Sequence, residues 1–301
     1  MAQTYDMNLI TLVENFHSEE NCREYLEGLR WPHGVQCPHC NGKKISRIHE
    51  RNQFDCDSCR YRFSVTSDTV LHDTHLPLWK WFLAVYLITE SKKSISANQL
   101  RRSLKVTYRT AWFLSHRIRH ALATPNALLS GVVEIDESYI GPRKPRYKGT
   151  SKAGRGTSKQ MIVGAVERGG SVRISKADAA DRKTLRAFIL DHVADGATAL
   201  YTDDNPAYGD MSDSNTKHET VNHSAKEWVR GDVHTNTIEG SWSLFKRCII
   251  GAYHKVSVKH LDKYLDEFEF RFNNRDNPYI FRDALKELVT AKNVEYKELV
   301  A

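Results

Sequence analysis

VVEID, residues 132–136, is a short run that alternates apolar and acidic residues and ends on Asp136. Aspartate is depleted in strands because its side chain competes with the backbone for hydrogen bonds, so an acid closing a β-rich run invites a search outward. Downstream, MIVGAVE (161–167) and SVRISKA (171–177) read as two further strands, residues 181–194 as a helix, and ATALYTD (197–203) as a strand that again ends on an acid, Asp203. Three strands, a helix, another strand and then more helices give the element order of an α/β domain.

That order is the one expected of a ribonuclease H-like fold. Beyond it, HTNTIEGSWSLFKR (234–247) carries a helical stripe in which Ile238, Trp242, Phe245 and Ile249 recur at intervals of four, three and four. Glu239 and Lys246 flank the stripe. Seven residues at about 100° each return a side chain to within roughly 20° of its starting direction, so both sit along one edge of the buried face. If the two strand ends and this helix edge converge, three carboxylates form a hard-oxygen site for Mg²⁺ or Mn²⁺, with positions left for phosphate and water. Two such ions, about 3.5–4 Å apart, suit in-line displacement at phosphorus. The acids are not unique at this point: Glu134 and Glu137 flank Asp136, with Glu134 on the same strand face, and Asp204 adjoins Asp203. His223 and His234 are further candidates for metal binding or proton transfer, and Tyr253 and His254 for DNA contact.

Four of the six cysteines form CPHC (Cys37, Cys40) and CDSC (Cys56, Cys59), separated by fifteen residues. Each two-residue gap lets both thiolates of a turn point at one ion, which predicts a single structural Zn²⁺ in a zinc ribbon over 31–70. So small a segment buries little core, and metal binding would supply most of its folding free energy. Cys22 and Cys248 fall in helical patterns and read as buried residues.

The chain is basic, with 44 Lys and Arg against 37 Asp and Glu. Two tracts, 91–133 and 138–166, contain no acid and carry eight and seven Lys or Arg, a distribution that fits phosphate neutralisation. Residues 76–123 read as three helices with N-caps at Ser96 and Thr107. The last two resemble a helix-turn-helix, which predicts that Arg109, Arg117 and Arg119 on the second helix meet DNA. The loop GPRKPRYKGTSKAGRGTSK (141–159), with Arg143 and Lys144, is expected to order only on phosphate. The longest apolar run, WFLAVYLI (81–88), is too short for a bilayer, and the N-terminus shows no signal peptide, so no membrane partner and a cytoplasmic, nucleoid-associated protein are expected.

With these motifs in hand, the sequence resembles the DDE transposases of bacterial insertion sequences, within the ISXO-like group that carries an N-terminal zinc ribbon. The resemblance spans about residues 20–280 and rests on CPHC and CDSC, VVEIDESYIGPRK, YTDDNPAY, HETVNHS and the long block VHTNTIEGSWSLFKRCIIGAYHKVSVKHLDKYLDEFEFRFNNR. It implies that Asp136, Asp203 and Glu239 bind metal and that Lys246, beside Arg247, contacts the terminal DNA. Some members carry Asn in the third position; here it is Glu239. The implied activity is recognition of terminal inverted repeats, hydrolysis to free 3′ ends and their transfer to target DNA, by a dimer or higher assembly. Competing readings are a nuclease on the same fold that cuts without joining, and a zinc-ribbon, helix-turn-helix regulator. The expected domains are an N-terminal helical segment (1–30), the ribbon (31–70), a helical DNA-binding segment (75–125), the catalytic domain (130–285) and a C-terminal tail (286–301).

Overall fold

A computed structural model describes residues 7–123, 127–141, 159–209, 211 and 216–300. They form two compact units, one from residues 1–124 and 274–301 and one from 125–273. The first opens with α1 (Leu9–Asn15) and α2 (Glu19–Arg30). An antiparallel sheet follows, of β1 (Ile45–Ile48), β2 (Gln53–Cys56) and β3 (Arg62–Phe63), and then α3 (Leu78–Thr89), α4 (Ala97–Leu104) and α5 (Tyr108–Ala121). The second holds β4 (Val132–Ile140), β5 (Gln160–Glu167), β6 (Val172–Ala177), α6 (Arg182–His192), β7 (Ala199–Asp203), β8 (Lys217–Val221), α7 (Asn236–Cys248) and α8 (Leu261–Asn273). The chain then returns to the first unit as α9 (Ile280–Thr290) and α10 (Tyr296–Val300).

The compact second unit thus ends at residue 273, and α9 packs within the first. Helix α9 buries Phe281, Ala284, Leu285, Leu288 and Val289, an apolar stripe that must be covered. Phe281 packs against Phe16 and Phe82 of the first unit in tilted and edge-on contacts, ring centroids 6.1 and 6.0 Å away. The helix-turn-helix-like pair forms as read: the Ser96 and Thr107 hydroxyls accept from the backbone N–H groups of Gln99 and Thr110, and Lys105 closes α4 in the left-handed conformation, φ 51°.

The second unit is a five-stranded sheet in the order β6-β5-β4-β7-β8. Strand β5 runs antiparallel to both β4 and β6, whereas β7 is parallel to β4 and β8 to β7. On one face Val133, Ile135, Val163 and Leu200 pack with Leu185 and Phe188 of α6. On the other, Ile162, Val166 and Ile174 pack with Ile238, Trp242 and Phe245 of α7 and with Leu265 and Phe268 of α8. This is the ribonuclease H-like layering anticipated from the element order. Strand β8 is missing from that order; four of its five residues, Lys217–Thr220, are partly or fully exposed, so no apolar alternation marks it. The edge of β6 is covered by α8: Asn273 brackets Val172, accepting from its N–H and donating to its carbonyl, and the Glu269 carboxylate accepts from the N–H of Ile174. Satisfied edge groups cannot template pairing with another chain.

Candidate active site

Strand register brings the first two acids together. Glu134 pairs with Tyr201 across the parallel β4–β7 ladder, so two steps further along each strand Asp136 and Asp203 stand side by side on the same face. Glu137 joins them, and carboxylate oxygens of Asp136, Glu137 and Asp203 lie within 4.8 Å of one another. Three hard oxygen donors at this spacing fit a divalent cation of the Mg²⁺ or Mn²⁺ kind.

Asn205 and Tyr208 organise the cluster. The backbone N–H of Asn205 donates to Asp203 Oδ1 at 3.0 Å, and its side-chain amide donates to Glu137 Oε1 at 2.9 Å. Its own Oδ1 caps the one-turn helix Pro206–Tyr208 by accepting from the N–H of Ala207. Tyr208 is fully buried. Its hydroxyl ionises well above the usual range, through burial first and then the charges of Glu137, Asp136 and Asp203. Asp136 is pushed up to about 7, also by burial first and then by Glu137 and Asp203. Like charges this close cannot all ionise without a cation among them.

Helix α7 lies against the same strand face. The Trp242 indole N–H donates to Asp136 Oδ2 at 3.0 Å, and its ring sits over Gly164, the residue that pairs with Asp136 on β5. A Cβ at position 164 would lie 2.4 Å from Trp242 Cη2, so only glycine leaves room for the indole. Glu239 stands one turn before Trp242, on neighbouring turns of one helix face. Its carboxylate is exposed and accepts from the Thr235 hydroxyl at 3.2 Å; it is not one of the three acids drawn together.

Glu134, two residues before Asp136, is fully buried. Its Oε1 accepts from Arg168 Nε at 2.6 Å and from the Thr237 hydroxyl at 2.9 Å, and its Oε2 from the N–H groups of Thr237 and Ile238 at 2.7 and 3.1 Å. A strand carboxylate thus caps the first turn of α7, where four N–H groups lack helical partners and the dipole favours negative charge. Arg168 also stacks over the Tyr201 ring, 4.8 Å from its centroid.

Residues 128–273 match the ISXO2-like transposase domain, and residues 17–62 match the transposase zinc-ribbon domain. A protein of transposable element ISH50 from Halobacterium salinarum, itself described as uncharacterized, is 33% identical over 276 residues, covering 86% of this chain and 92% of the relative. The chain belongs to the ISXO2-like transposases. Solved structures similar to this transposase include the Mos1 strand transfer complex, at 13% identity, TM-score 0.28, and coverage of 69% of this chain and 75% of the other. Another is the simian T-cell lymphotropic virus intasome, at 16%, 0.30, 63% and 65%. Scores this low bear no weight for function.

The transposase's ribbon assembles as its spacing predicts. Sγ of Cys37 lies 3.6 Å from that of Cys59, and Sγ of Cys40 lies 3.5 Å from that of Cys56, close to the roughly 3.8 Å edge of a tetrahedron with metal–sulfur bonds of about 2.3 Å. Both knuckles close alike: Asn41 and Arg60, at φ 58° and 61°, donate their N–H to the carbonyls of Cys37 and Cys56. The Cys56 thiol is drawn down to about 7, chiefly by the N–H of Cys59. Gly42 fits under the cluster, where a Cβ would be 3.2 Å from Cys40 Sγ.

The basic residues divide. Arg109, Lys246 and Arg247 are exposed, Arg109 with its guanidinium 4.3 Å from the Tyr296 ring centroid. Arg117 and Arg119 are buried, which corrects their expected exposure on a recognition helix. Arg117 donates to the His72 carbonyl and to Asn293 Oδ1 and lies over the rings of Trp81 and Phe113; Arg119 donates to the Ser115 hydroxyl. Planar, weakly hydrated guanidinium groups can be buried in this way. Arg143 and Lys144 lie outside the described residues. Of the other candidates, His223 packs on Trp228, the Tyr253 hydroxyl donates to buried Glu267, and His254 ends a π-helical turn at φ 58°. His234 Nδ1 lies 2.9 Å from an Arg168 terminal nitrogen and 3.2 Å from Glu134 Oε1, in the same buried joint. The sequence marked Trp242 only as a packing residue of the helical stripe and gave Asn205, Tyr208 and Gly164 no role; the Asn-Pro of DDNPAY, a cap followed by a helix-starting proline, is a local sign that could have drawn attention to Asn205 and Tyr208.

Proposed function

We propose that this transposase frees the 3′ ends of its element by hydrolysis and joins them to target DNA by strand transfer, with Asp136, Asp203 and Glu239 holding two Mg²⁺ or Mn²⁺ ions. The observation that carries this reading is the paired register of β4 and β7, which sets Asp136 beside Asp203 under the helix that bears Glu239. Glu239 reaches the site from one turn before Trp242 by a change of rotamer, releasing Thr235. Divalent ions supply activation of the attacking oxygen and stabilisation of the leaving one. The protein's own part is to fix the acids: Asn205 holds Asp203 and Glu137, and Trp242 holds Asp136. Hydrolysis and joining are both in-line attacks at phosphorus, so one site serves both and no covalent protein intermediate is needed.

Lys246 lies two turns beyond Glu239 on the same edge of α7, where its ammonium, with the Arg247 guanidinium, meets the phosphates of the terminal repeats. Arg109 and the basic loop with Arg143 and Lys144 extend that contact, and the ribbon, folded around one Zn²⁺, adds the N-terminal part of end recognition. Two ends must be processed together, which calls for a dimer or higher assembly on DNA. No helix among the described residues is long and apolar enough to cross a membrane, and the activity belongs with DNA at the nucleoid, in the cytoplasm.

The test mixes purified protein, Mn²⁺, pre-cut element ends and supercoiled plasmid. Joined product from wild type and its loss in Glu239→Gln is the expected result. Nicking without joining would leave the nuclease reading; equal joining by both proteins would remove Glu239 from the site.

A further inference from the structure

We propose that Glu134 is the positioning residue for Glu239: its buried carboxylate locks the first turn of α7 to β4 and so sets the third catalytic acid relative to the first. The inference rests on the proposed role of Glu239. Glu134 and Asp136 are two residues apart on one strand face, roughly 6.6–6.8 Å along the strand. Thr237 and Glu239 are two residues apart in the opening turn of the helix. Three hydrogen bonds therefore join a point two residues before the first acid to Thr237 and Ile238, the two residues just before the third.

The chemistry of this joint is unusual for a mere packing contact. A fully buried carboxylate is costly to desolvate, and apolar residues of similar volume often serve stability as well or better. What directional bonds add is register. Apolar packing of Ile238 and Trp242 resists separation of helix from sheet but tolerates sliding and rotation. Two N–H groups and a hydroxyl aimed at one carboxylate do not. The second attachment, Trp242 to Asp136 over Gly164, lies a turn further on, and the two together define the direction of the helix. Arg168 completes the joint, since its Nε–H neutralises Glu134 while its terminal nitrogens donate to the carbonyls of Asp232 and His234, the residues that lead into α7. The approach to the helix and its first turn are thereby held from one side chain of β4.

The test compares full-length wild type, Glu134→Gln, Glu239→Gln and the double variant by Mn²⁺ affinity, read by electron paramagnetic resonance, with thermal melting as the check on folding. An amide at 134 keeps the volume but must face at least one of its former donors with an N–H group. Partners that orient metal ligands are typically worth 10–100-fold in metal affinity or activity, so Glu134→Gln should weaken Mn²⁺ binding about 10-fold or more while still melting cooperatively. The double variant should bind no worse than Glu239→Gln alone, because Glu134 acts through Glu239. Wild-type affinity in Glu134→Gln, or a double variant weaker than Glu239→Gln by the full single-variant factor, would overturn the proposal and leave Glu134 a structural cap. If Glu134→Gln fails to fold, Thr237→Val, which removes only the hydroxyl donor, takes its place, with a smaller loss in the same direction and the same comparison with Glu239→Gln. These affinities are read without DNA joining, so failure of strand transfer in wild type would refute the proposed function and leave this result standing.

Discussion

The two candidate metal centres are built by opposite strategies. In the ribbon, four thiols come from residues 37–59, each pair on one turn, with the turns shaped by Asn41 and Arg60 in left-handed conformations. In the ribonuclease H-like unit the acids drawn together come from β4 and β7, with α7 docked over them, and what positions them is sheet register and helix docking. The first centre makes its own fold; the second borrows one. A site of the first kind stands or falls with its metal, whereas a site of the second kind can lose its ligands and leave the scaffold intact.

The largest effect that separates them is removal of a ribbon ligand. Cys40→Ser should unfold the ribbon and abolish zinc retention, since structural zinc in small fingers contributes on the order of 10–16 kcal/mol of apparent binding free energy. Mn²⁺ binding by the second unit should be unchanged. Zinc content and backbone NMR of the ribbon residues check this; a folded ribbon without metal would erase the contrast. In the other centre Asp203→Asn should cut joining on the order of 10³-fold yet leave the melting temperature equal or higher, because it removes a negative charge that presses on Asp136. Strand-transfer kinetics with calorimetry measure both, and a large loss of stability would mean that the acids are structural.

Gly164→Ala probes the docking of α7. The added Cβ meets Trp242, and overpacking of this kind costs about 1–3 kcal/mol; denaturant melts should show that loss together with slower joining.

The smallest effect is in pH. Asp136 rises from 3.8 to about 7 on folding, so its contribution to stability is fully present below about 3.8 and is lost as pH rises through about 7. A bound cation removes that penalty. Mn²⁺ should therefore raise the melting temperature more at pH 8 than at pH 6, and its affinity should fall by up to about tenfold for each pH unit below 7. A pH-independent metal shift would contradict the coupling.

What the sequence disclosed follows the same division. Cysteine spacing is local, so the ribbon was legible in full. Asp203 was legible because an acid is conspicuous at a strand end; Asp136 was expected at one too, but β4 runs on past it to Ile140, so it stands mid-strand. The stripe of α7 was legible because Ile238, Trp242 and Phe245 do recur on its buried face. The choice among neighbouring acids was not legible. Glu134 shares the face of Asp136 but points into a helix terminus, whereas Glu137, the next residue of β4 after Asp136, has its carboxylate in the cluster, where it accepts from Asn205. Arg117 misled for another reason: its partners, His72 and Asn293, are remote in sequence, and a periodic cation looks the same whether it faces water or a stack of rings.

The central claim is that acids from β4, β7 and α7 share divalent ions. Anomalous scattering from crystals grown with Mn²⁺ and an element end tests it most directly. Two manganese peaks about 3.5–4 Å apart, with Asp136, Asp203 and the Glu239 carboxylate as ligands, are predicted. Manganese bound only by Asp136, Glu137 and Asp203, with Glu239 still on Thr235, would contradict it.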